Sequence, residues 1–424
     1  MTRHKVPVSL SALVLLAALL TGCTTNPAPI RIGVLSDCVG FFRNLQDAAL
    51  IGAEVPLLER GAALRGQLPS EGLTPGAVAG HPIELVTGCT EGGEYSTLID
   101  QTRVLIEVQH ADVVIGGSWA GDGLVLREVA RKYPNTLFVV AGPGARQVTL
   151  GNTAPNLFRF APDLAQQVAG LGTYVFQDLG WRRAVVIADN NEAGWDGSAA
   201  FLAEFCALGG QVTQYPISPD QPSESNADAD GVALFSTSFG VPAESLTMFA
   251  ADPASPATSL VLGPGVSEDL AYLRAIPEDA AGVVTVVPAP GSPETVERYR
   301  AAVIKYFPSA PRSDILTPFV VRYHDAVMAV MLALEQTSGT AGAGLAQALG
   351  SLDADLVAGR VRLDANRAAL LSTAVARLGG HGAVDIVRTV PDVDQTFGGA
   401  LPADYAPRAG EQPCIAGTPP PWAK

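Results

Sequence analysis

Basic residues are scarce in this chain, which has 27 Lys and Arg against 42 Asp and Glu and a formal net charge of −15. Proteins that hold nucleic acid by its phosphates need a basic face, so this deficit argues against a nucleic-acid partner. It also argues against membrane binding through charge, since that mechanism relies on clustered Lys and Arg.

The N-terminus lacks a segment long enough to cross a bilayer. The apolar run Val8–Leu20 is shorter than the ~20 residues that a membrane-spanning helix needs. It follows the short basic stretch Arg3–Lys5, an order typical of a secretion signal. We therefore expect residues 1–22 to be a signal peptide and the mature protein to be extracytoplasmic.

The end of this signal, Leu20–Cys23, resembles the bacterial lipobox, in which the Cys becomes the lipidated first residue of the mature protein. The resemblance predicts lipidation of Cys23 and contact with the cell membrane through the lipid anchor only. Residues 23–29 are polar and contain Pro, which suits a tether. An ordinary signal peptide with an accidental Cys is the alternative.

Cysteine is also rare, with five residues in the chain. The four that follow the lipobox are Cys38, Cys89, Cys206 and Cys414. An even number in an oxidising compartment indicates two disulfides, with three possible pairings. Cys38 and Cys89 follow two predicted strands of one parallel sheet, so we favour their pairing, which leaves Cys206 with Cys414. A zinc site is the alternative, but the sequence has no close Cys pair to form one.

After the tether, short apolar runs alternate with helical patterns. The predicted strands of the first part are Ile30–Ser36, Pro82–Gly88, Asp112–Gly116 and Leu137–Ala141. The predicted helices between them are Arg43–Arg60 with a kink at Pro56, Thr97–Val108 and Gly121–Tyr133. Continuous apolar strands that alternate with helices indicate a parallel sheet with both faces covered.

The same alternation restarts in the second part of the chain. The predicted helices are Leu164–Leu179, Gly197–Leu208, Ser292–Tyr306 and Ile315–Gln336. The predicted strands are Ala184–Ala188, Gln211–Tyr215, Gly231–Phe235, Ser259–Leu262, Gly282–Val287, Arg360–Leu363, Thr373–Arg377 and Val384–Thr389. In Ile315–Gln336 a buried stripe is expected at Phe319, Tyr323, Ala326 and Val330. Residues 391–424 are rich in Pro and predict a poorly structured tail.

The fold predicted from this order is α/β, with two similar units in series. A chain of 424 residues is too long for one compact core. Each unit carries a Gly-Pro-Gly turn after a strand, Gly142–Gly144 and Gly263–Gly265, although chance in a chain rich in Gly and Pro can also produce the echo. Open α/β sheets bind ligands at the carboxyl ends of their strands, which predicts a cleft between the units.

The chain resembles a type I periplasmic binding protein of the branched-chain amino acid/amide class that serves ABC importers. The segments that carry the resemblance are Ile30–Leu35, Val78–Val86, Val114–Ser118, Asn156–Asp163, Gly180–Val186 and Tyr323–Val327. It implies two Rossmann-like lobes, with parallel sheets flanked by helices, joined by a three-strand hinge near 156–163, 285–292 and 352–363. The implied lobes are residues 30–157 with 288–355 and residues 158–287 with 356–390.

The resemblance implies a solute-binding lipoprotein rather than an enzyme. It would deliver a small organic solute, amino acid, amide or carboxylate-like, to the permease of an ABC importer. A monomer without cofactor, metal or catalytic residue is expected. A sensor or regulatory lipoprotein of the same fold, acting through protein contact, is the alternative.

The ligand contacts implied by the family lie in loops after strands. In the first lobe they are Ser36, Asp37, Phe41, Ser118, Trp119, Gly144, Ala145 and Arg146. The hydroxyl and backbone N–H groups at Ser118 would hold a carboxylate, and Arg146 would either clamp an acidic group or face solvent. In the second lobe they are Asn191, Trp195, Ser236, Ser238 and Phe239. The acid that pairs with an amino-acid ammonium in the family has no counterpart in Gly263–Val266.

Two enzymatic interpretations compete with binding. Gly116–Ala120 resembles a nucleophile elbow, so Ser118 with His324 or His381 would make a remote serine hydrolase. The run Gly142–Gln147 is a broken dinucleotide-binding pattern without its third Gly, and its Pro removes an N–H donor.

Overall fold

The computed structural model describes residues 27–40, 43–151, 153–214, 229–235, 260–264, 282–289, 291–310, 317–379, 383–405, 414 and 417–423. The signal peptide, the lipidation site Cys23 and the predicted contacts Phe41, Ser236, Ser238 and Phe239 lie outside these residues.

A six-stranded sheet forms the first half of the fold. Its strands are β1 Ile30–Asp37, β2 Gly76–Val78, β3 His81–Thr90, β4 Val113–Gly116, β5 Leu137–Val140 and β6 Leu157–Arg159. The order across the sheet is β2-β3-β1-β4-β5-β6, and all neighbours are parallel except β2 and β3. This order places the carboxyl ends of β1, β3 and β4 side by side.

A second sheet contains nine strands among the described residues. They are β7 Arg183–Ala188, β8 Gln211–Gln214, β9 Gly231–Phe235, β10 Leu260–Leu262, β11 Val284–Pro288, β12 Asp353–Leu356, β13 Gly359–Leu363, β14 Ala369–Leu378 and β15 Val384–Val393. The order is β12-β13-β14-β11-β10-β9-β7-β8, with β15 also paired to β14. The part from β11 to β8 is parallel, as predicted, whereas β12 to β15 pair antiparallel and extend the sheet.

Helices cover both sheets. They are α1 Gln46–Leu58, α2 Tyr95–Arg103 with a π-helical turn Val104–Val108, α3 Asp122–Lys132, α4 Leu171–Gln177, α5 Glu192–Phe205, α6 Pro293–Tyr306, α7 Pro318–Gln336 and α8 Ala343–Gly350. One face of the first sheet packs against α1, α6 and α7, and the other packs against α2 and α3. The second sheet packs against α4 and α5. The predicted α/β fold with two sheets is confirmed.

The chain passes between the two halves three times. It leaves the first sheet after β6 and leaves the second sheet after β11 to form α6–α8, which belong to the first hydrophobic core. It then returns to the second sheet through β12 and β13. These passages fall at the three crossovers implied by the resemblance.

The predicted helix Leu164–Leu179 is interrupted in the structure. A 3₁₀ turn at Gln166–Val168 is separated from α4 by Gly170, whose φ is 91°. Glu204 stabilises this break because its carboxylate accepts the backbone N–H groups of Gly170 at 2.7 Å and Thr173 at 2.8 Å. The apolar periodicity of this segment predicts one continuous helix, because it contains no information about a distant carboxylate that binds the backbone.

The prediction of a poorly structured tail is wrong for the described residues beyond position 390. Phe397 and Leu401 are fully buried in the second core. The Trp422 ring lies 5.0 Å from that of Phe397, and its indole N–H donates to Glu204 at 3.0 Å. A composition rich in Pro therefore marks a segment without regular hydrogen bonding, which can still pack on a core.

Both predicted disulfides are confirmed. The Cα atoms of Cys38 and Cys89 are 5.3 Å apart, since Ser36 and Cys89 are partners in the parallel pairing of β1 and β3. The Cα atoms of Cys206 and Cys414 are 5.6 Å apart, across a sequence separation of 208 residues. The first bridge joins the carboxyl ends of β1 and β3, and the second joins the end of α5 to the tail.

Candidate functional site

The carboxyl ends of β1 and β3 present a buried polar pair. Asp37 is the last residue of β1, and its carboxylate accepts the Thr90 hydroxyl at 2.7 Å. Burial raises the pKa of Asp37, an effect that the Thr90 bond opposes and the charge of Glu91 reinforces. The preceding Ser36 hydroxyl is buried and has no hydrogen-bond partner in the described part of the chain.

The turn after β4 brings Ser118 to the same edge of the sheet. The Ser118 Oγ lies 3.0 Å from the Tyr323 Oη. The Tyr323 hydroxyl donates to the Leu35 carbonyl at 2.8 Å, so the Ser118 hydroxyl is the donor in its contact with Tyr323. Tyr323 was predicted only as part of a buried stripe, and the structure gives its hydroxyl a place beside the expected ligand contacts.

Asp122 occupies the donors of this turn. Its carboxylate Oδ2 accepts the Trp119 backbone N–H at 2.9 Å. Burial, with a contribution from the charge of nearby Asp37, raises the pKa of Asp122 to about 7 against hydrogen bonds from the Trp119 and Ser118 backbones, which lower it. The turn expected to hold the carboxylate of a solute therefore already holds a carboxyl group of the protein.

The expected ligand loop Gly144–Arg146 is buried and held by other parts of the protein. The Ala145 backbone N–H donates to the Ala120 carbonyl at 3.1 Å. The Arg146 guanidinium donates to the Pro402 carbonyl at 2.8 Å, with longer contacts to the Leu401 and Tyr405 carbonyls at 3.4 and 3.3 Å. The alternative that Arg146 faces solvent is wrong, because its side chain is fully buried against the tail, and its contact with a solute stays a prediction.

The second half contributes the N-terminus of α5. Asn191 caps this helix, with its side-chain oxygen accepting the backbone N–H groups of Ala193 and Gly194 at 3.1 Å each. The Asn191 side chain therefore fixes the backbone of the first turn of this helix. Trp195 follows in the first turn and is partly exposed.

Apolar and polar contacts join the two halves beside this helix. Ala120 from the first half packs against Leu164 and Ala193. The Arg146 backbone N–H donates to the buried Asp196 carboxylate at 2.8 Å. Burial raises the pKa of Asp196 to about 7, so protonation of this carboxyl is coupled to a contact between the halves.

The crossover after β6 carries a buried ion pair. The Arg159 guanidinium donates to the Asp163 carboxylate at 3.0 Å, with both side chains fully buried. A second guanidinium nitrogen donates to the Ala145 carbonyl at 3.0 Å, and the Gln395 amide donates to Asp163 at 2.7 Å. The crossover, the first-half loop and the tail therefore share one polar network.

The structure brings together Ser36, Asp37, Ser118 and Trp119 from the first half, with Asn191 and Trp195 near the contact between halves. Sequence reasoning missed Thr90, Asp122 and Asp196. An acid in the first turn of a helix after a Gly-rich turn is a detectable signal for Asp122. Nothing local marks the other two, because their partners are distant in sequence.

The enzymatic interpretations find no support in this geometry. Ser118 bonds to Tyr323, and His324 Nδ1 lies 2.9 Å from the carboxylate of its neighbour Asp325; His381 lies outside the described residues. A Cβ on Gly142 would lie 2.0 Å from the Gly117 carbonyl oxygen, so close packing of two turns explains this glycine. The described residues also contain no group of His, Cys, Asp and Glu that could hold a metal ion.

The two sheets and the polar loops at the carboxyl ends of their strands define a two-lobed α/β binding protein. The family model described as periplasmic binding protein matches residues 29–381. The chain belongs to that family, which confirms the resemblance seen in the sequence. Its members are binding proteins rather than enzymes, and they function outside the cytoplasm. No helix in the described segments is long and apolar enough to cross a membrane.

Solved structures share the fold at low sequence identity. An ABC transporter substrate-binding protein from Sphaerobacter thermophilus is 22% identical with a TM-score of 0.71, over 87% of this chain and 99% of that one. A solute-binding protein from R. palustris in complex with benzoate is 21% identical with a TM-score of 0.67, over 86% and 97%. A leucine-binding protein from Thermotoga maritima is 17% identical with a TM-score of 0.65, over 85% and 99%. No curated protein sequence matches significantly.

Proposed function

We propose that this protein binds a small organic solute, such as an amino acid, an amide or a carboxylate-like compound, between its two halves and delivers it to the permease of an ABC importer. The observation that carries the proposal is the position of Ser36, Asp37 and Ser118. They lie at adjacent carboxyl ends of β1 and β4, where open α/β sheets bind ligands. Similar structures include proteins whose names describe binding of benzoate and leucine.

A solute that contacts both halves stabilises the closed arrangement by its differential affinity for that state. The contact among Ala120, Leu164 and Ala193 and the bond from Arg146 to Asp196 support such a closed arrangement in this structure. A permease can distinguish the closed from the open form by the relative positions of the two halves. This coupling would convert occupancy of the site into a signal for transport.

Binding can be tested on purified protein that has been unfolded, dialysed free of ligand and refolded with its disulfides intact. Calorimetry against amino acids, amides, carboxylates and aromatic acids is expected to find at least one ligand. Ser118→Ala is expected to weaken that ligand by about 1–3 kcal/mol, since a buried hydrogen bond is lost. Ser351→Ala, which removes an exposed hydroxyl bonded to its own helix, is the control. Failure of every class would refute the proposal.

Membrane attachment through Cys23 is part of the same proposal. The lipobox-like stretch Leu20–Cys23 supports it. Cys23→Ser is expected to release the protein from the membrane fraction without changing its unfolding transition. A variant that still sediments with membranes after a high-salt wash would contradict the lipid anchor. We further propose a monomer with lobes of residues 30–157 with 288–355 and 158–287 with 356–390.

A further inference from the structure

The turn after β4 has few donors left for an anionic group. The Trp119 backbone N–H donates to Asp122 at 2.9 Å, and the Ser118 backbone also bonds to this carboxyl group. The Ser118 hydroxyl donates toward Tyr323, whose own proton goes to the Leu35 carbonyl. An incoming carboxylate would have to displace Asp122 from these groups.

Charge at this edge also opposes an anion. Asp122 is 6% exposed and Asp37 is 2% exposed. Burial raises the pKa of both carboxyl groups, and the charge of Asp37 adds to the rise at Asp122. Arg146 is the cation that the sequence predicts near this region, and its guanidinium donates to carbonyl groups of the tail. Asp37 and Asp122 therefore lie at this edge without a cation from the loop Gly144–Arg146. Their carboxyl groups disfavour a negatively charged solute and favour a positively charged one.

An unused hydrogen-bonding group lies at the same strand end. The Ser36 hydroxyl is 1% exposed and has no partner among the described residues. A buried hydroxyl without a partner is costly, and it can both donate and accept a hydrogen bond. Together with the carboxyl oxygens of Asp37 and Asp122 and the Ser118 oxygen, it makes this edge rich in acceptors.

We infer that the solute enters the first half with a cationic nitrogen group, an alkylammonium or amidinium, which donates to Asp122 and Asp37. This inference rests on the proposed solute-binding function and specifies the chemistry of the same site. An ammonium or amidinium carries several N–H donors and a positive charge, which matches an edge built from acceptors and acids. The absence of an acid in Gly263–Val266 then reflects placement of the acids in the first half instead of the second.

The inference predicts a linkage between binding and pH. With the pKa of Asp122 raised to about 7, a cation must displace a proton below that pH and pairs directly with the carboxylate above it. The affinity for a cation is therefore expected to rise about tenfold from pH 6 to pH 8. The groups facing Asp122 are Asp37 from β1, Tyr95 from α2 and Tyr323 from α7; both tyrosines stay neutral in this range because burial raises their pKa.

Two series of probes with matched shapes test the charge preference on ligand-free protein. The aromatic series is benzamidine, benzamide and benzoate, and the aliphatic series is isobutylamine, isobutyramide and isobutyrate. Within a series, the cation is expected to bind at least tenfold more tightly than the anion at pH 8. Asp122→Asn, which keeps the size of the side chain, is expected to lose at least tenfold in affinity for the cation and to flatten its pH dependence.

Asp100→Asn is the matched control, because it removes the same charge from a carboxyl group that is 72% exposed on α2. It is expected to leave both series unchanged. An anion that binds as tightly as its matching cation overturns the inference and leaves the proposed function standing. A cation whose affinity is the same at pH 6 and pH 8 also overturns it. If neither series binds and the wider calorimetric panel also fails, the proposed function itself is refuted.

Discussion

Glu54 is an acid that the fold buries without a partner. It lies in α1, is fully buried, and both of its carboxyl oxygens lack a hydrogen bond within the described residues. Burial and, to a smaller extent, the charge of Asp47 raise its pKa from 4.5 to about 8. Glu54→Gln replaces the titrating group with a neutral one of nearly the same size.

The sign of the effect follows from proton binding in the two states. Between pH 4.5 and about 8 the unfolded chain has released the Glu54 proton while the folded protein retains it. The contribution of Glu54 to the free energy of unfolding is therefore highest below pH 4.5, falls as the pH rises through this window and levels off above it. At about 1.4 kcal/mol for each pH unit, the loss is about 5 kcal/mol over the whole window and about 2–3 kcal/mol between pH 5 and pH 7.

Urea unfolding of wild-type protein and Glu54→Gln at pH 5, 6, 7, 8 and 9 measures this loss. The variant is expected to gain stability relative to wild type with increasing pH, by about 2–3 kcal/mol between pH 5 and pH 7. Other buried acids such as Asp122 and Asp196 titrate in both proteins and cancel in the difference. The control Glu59→Gln, an exposed residue at the end of the same helix, is expected to show no such trend.

A stability difference between Glu54→Gln and wild type that does not change with pH would refute the reasoning. It would mean that Glu54 ionises in the folded protein at its ordinary pH, for example through a partner beyond the described residues. A trend of opposite sign would mean that the folded state stabilises the charged carboxylate. Neither result is compatible with a buried and unpaired acid.

Three further changes test helix packing in the first half, the second disulfide and the anchoring of the tail. Gly52→Ala is expected to destabilise the protein by about 1–3 kcal/mol in urea unfolding, because the new Cβ would lie 2.3 Å from a backbone oxygen of α7. Gly344→Ala has room for its Cβ and is expected to stabilise the protein by about 0.5–1 kcal/mol. Equal effects of the two substitutions would contradict the tight packing at Gly52. Replacing Cys206 and Cys414 by Ser should lower the unfolding free energy by about 2–5 kcal/mol, measured by the same melts, and an unchanged value would show that the bridge adds nothing. Arg146→Gln should speed amide hydrogen exchange in residues 395–402 as its bonds to tail carbonyls are lost, and unchanged exchange would argue against this anchoring role.

Local sequence was sufficient for most regular elements. Apolar runs bounded by turn residues located β1, β4 and β9 to within a residue or two, since a strand buried on both faces needs an unbroken apolar stretch. The pairing of Cys38 with Cys89 followed from their positions after two strands, because neighbouring parallel strands end at one edge of a sheet. The strand bounds need only the residues of each strand, whereas the disulfide also needs the two strands to be neighbours in the sheet.

Local sequence failed where a distant group decides the structure. The break before α4 depends on Glu204, which accepts two backbone N–H groups there. The tail looked unstructured by composition, yet Phe397 and Trp422 pack on the second core. Short helices and irregular segments have weak preferences of their own, so contacts made far along the chain determine their conformation.

The sequence by itself determined the class of fold, the alternation of strands and helices, the disulfide framework and the strand ends at which we propose a ligand site. Only the tertiary structure decided which groups at those strand ends remain free. The Asp122 carboxylate bonds to the turn that the sequence predicted would hold an anion, and the Arg146 guanidinium bonds to the tail. The physical reason is that a hydrogen-bond donor or a charged group pairs with a partner that lies near it in space. The spacing of residues along the chain does not determine those distances.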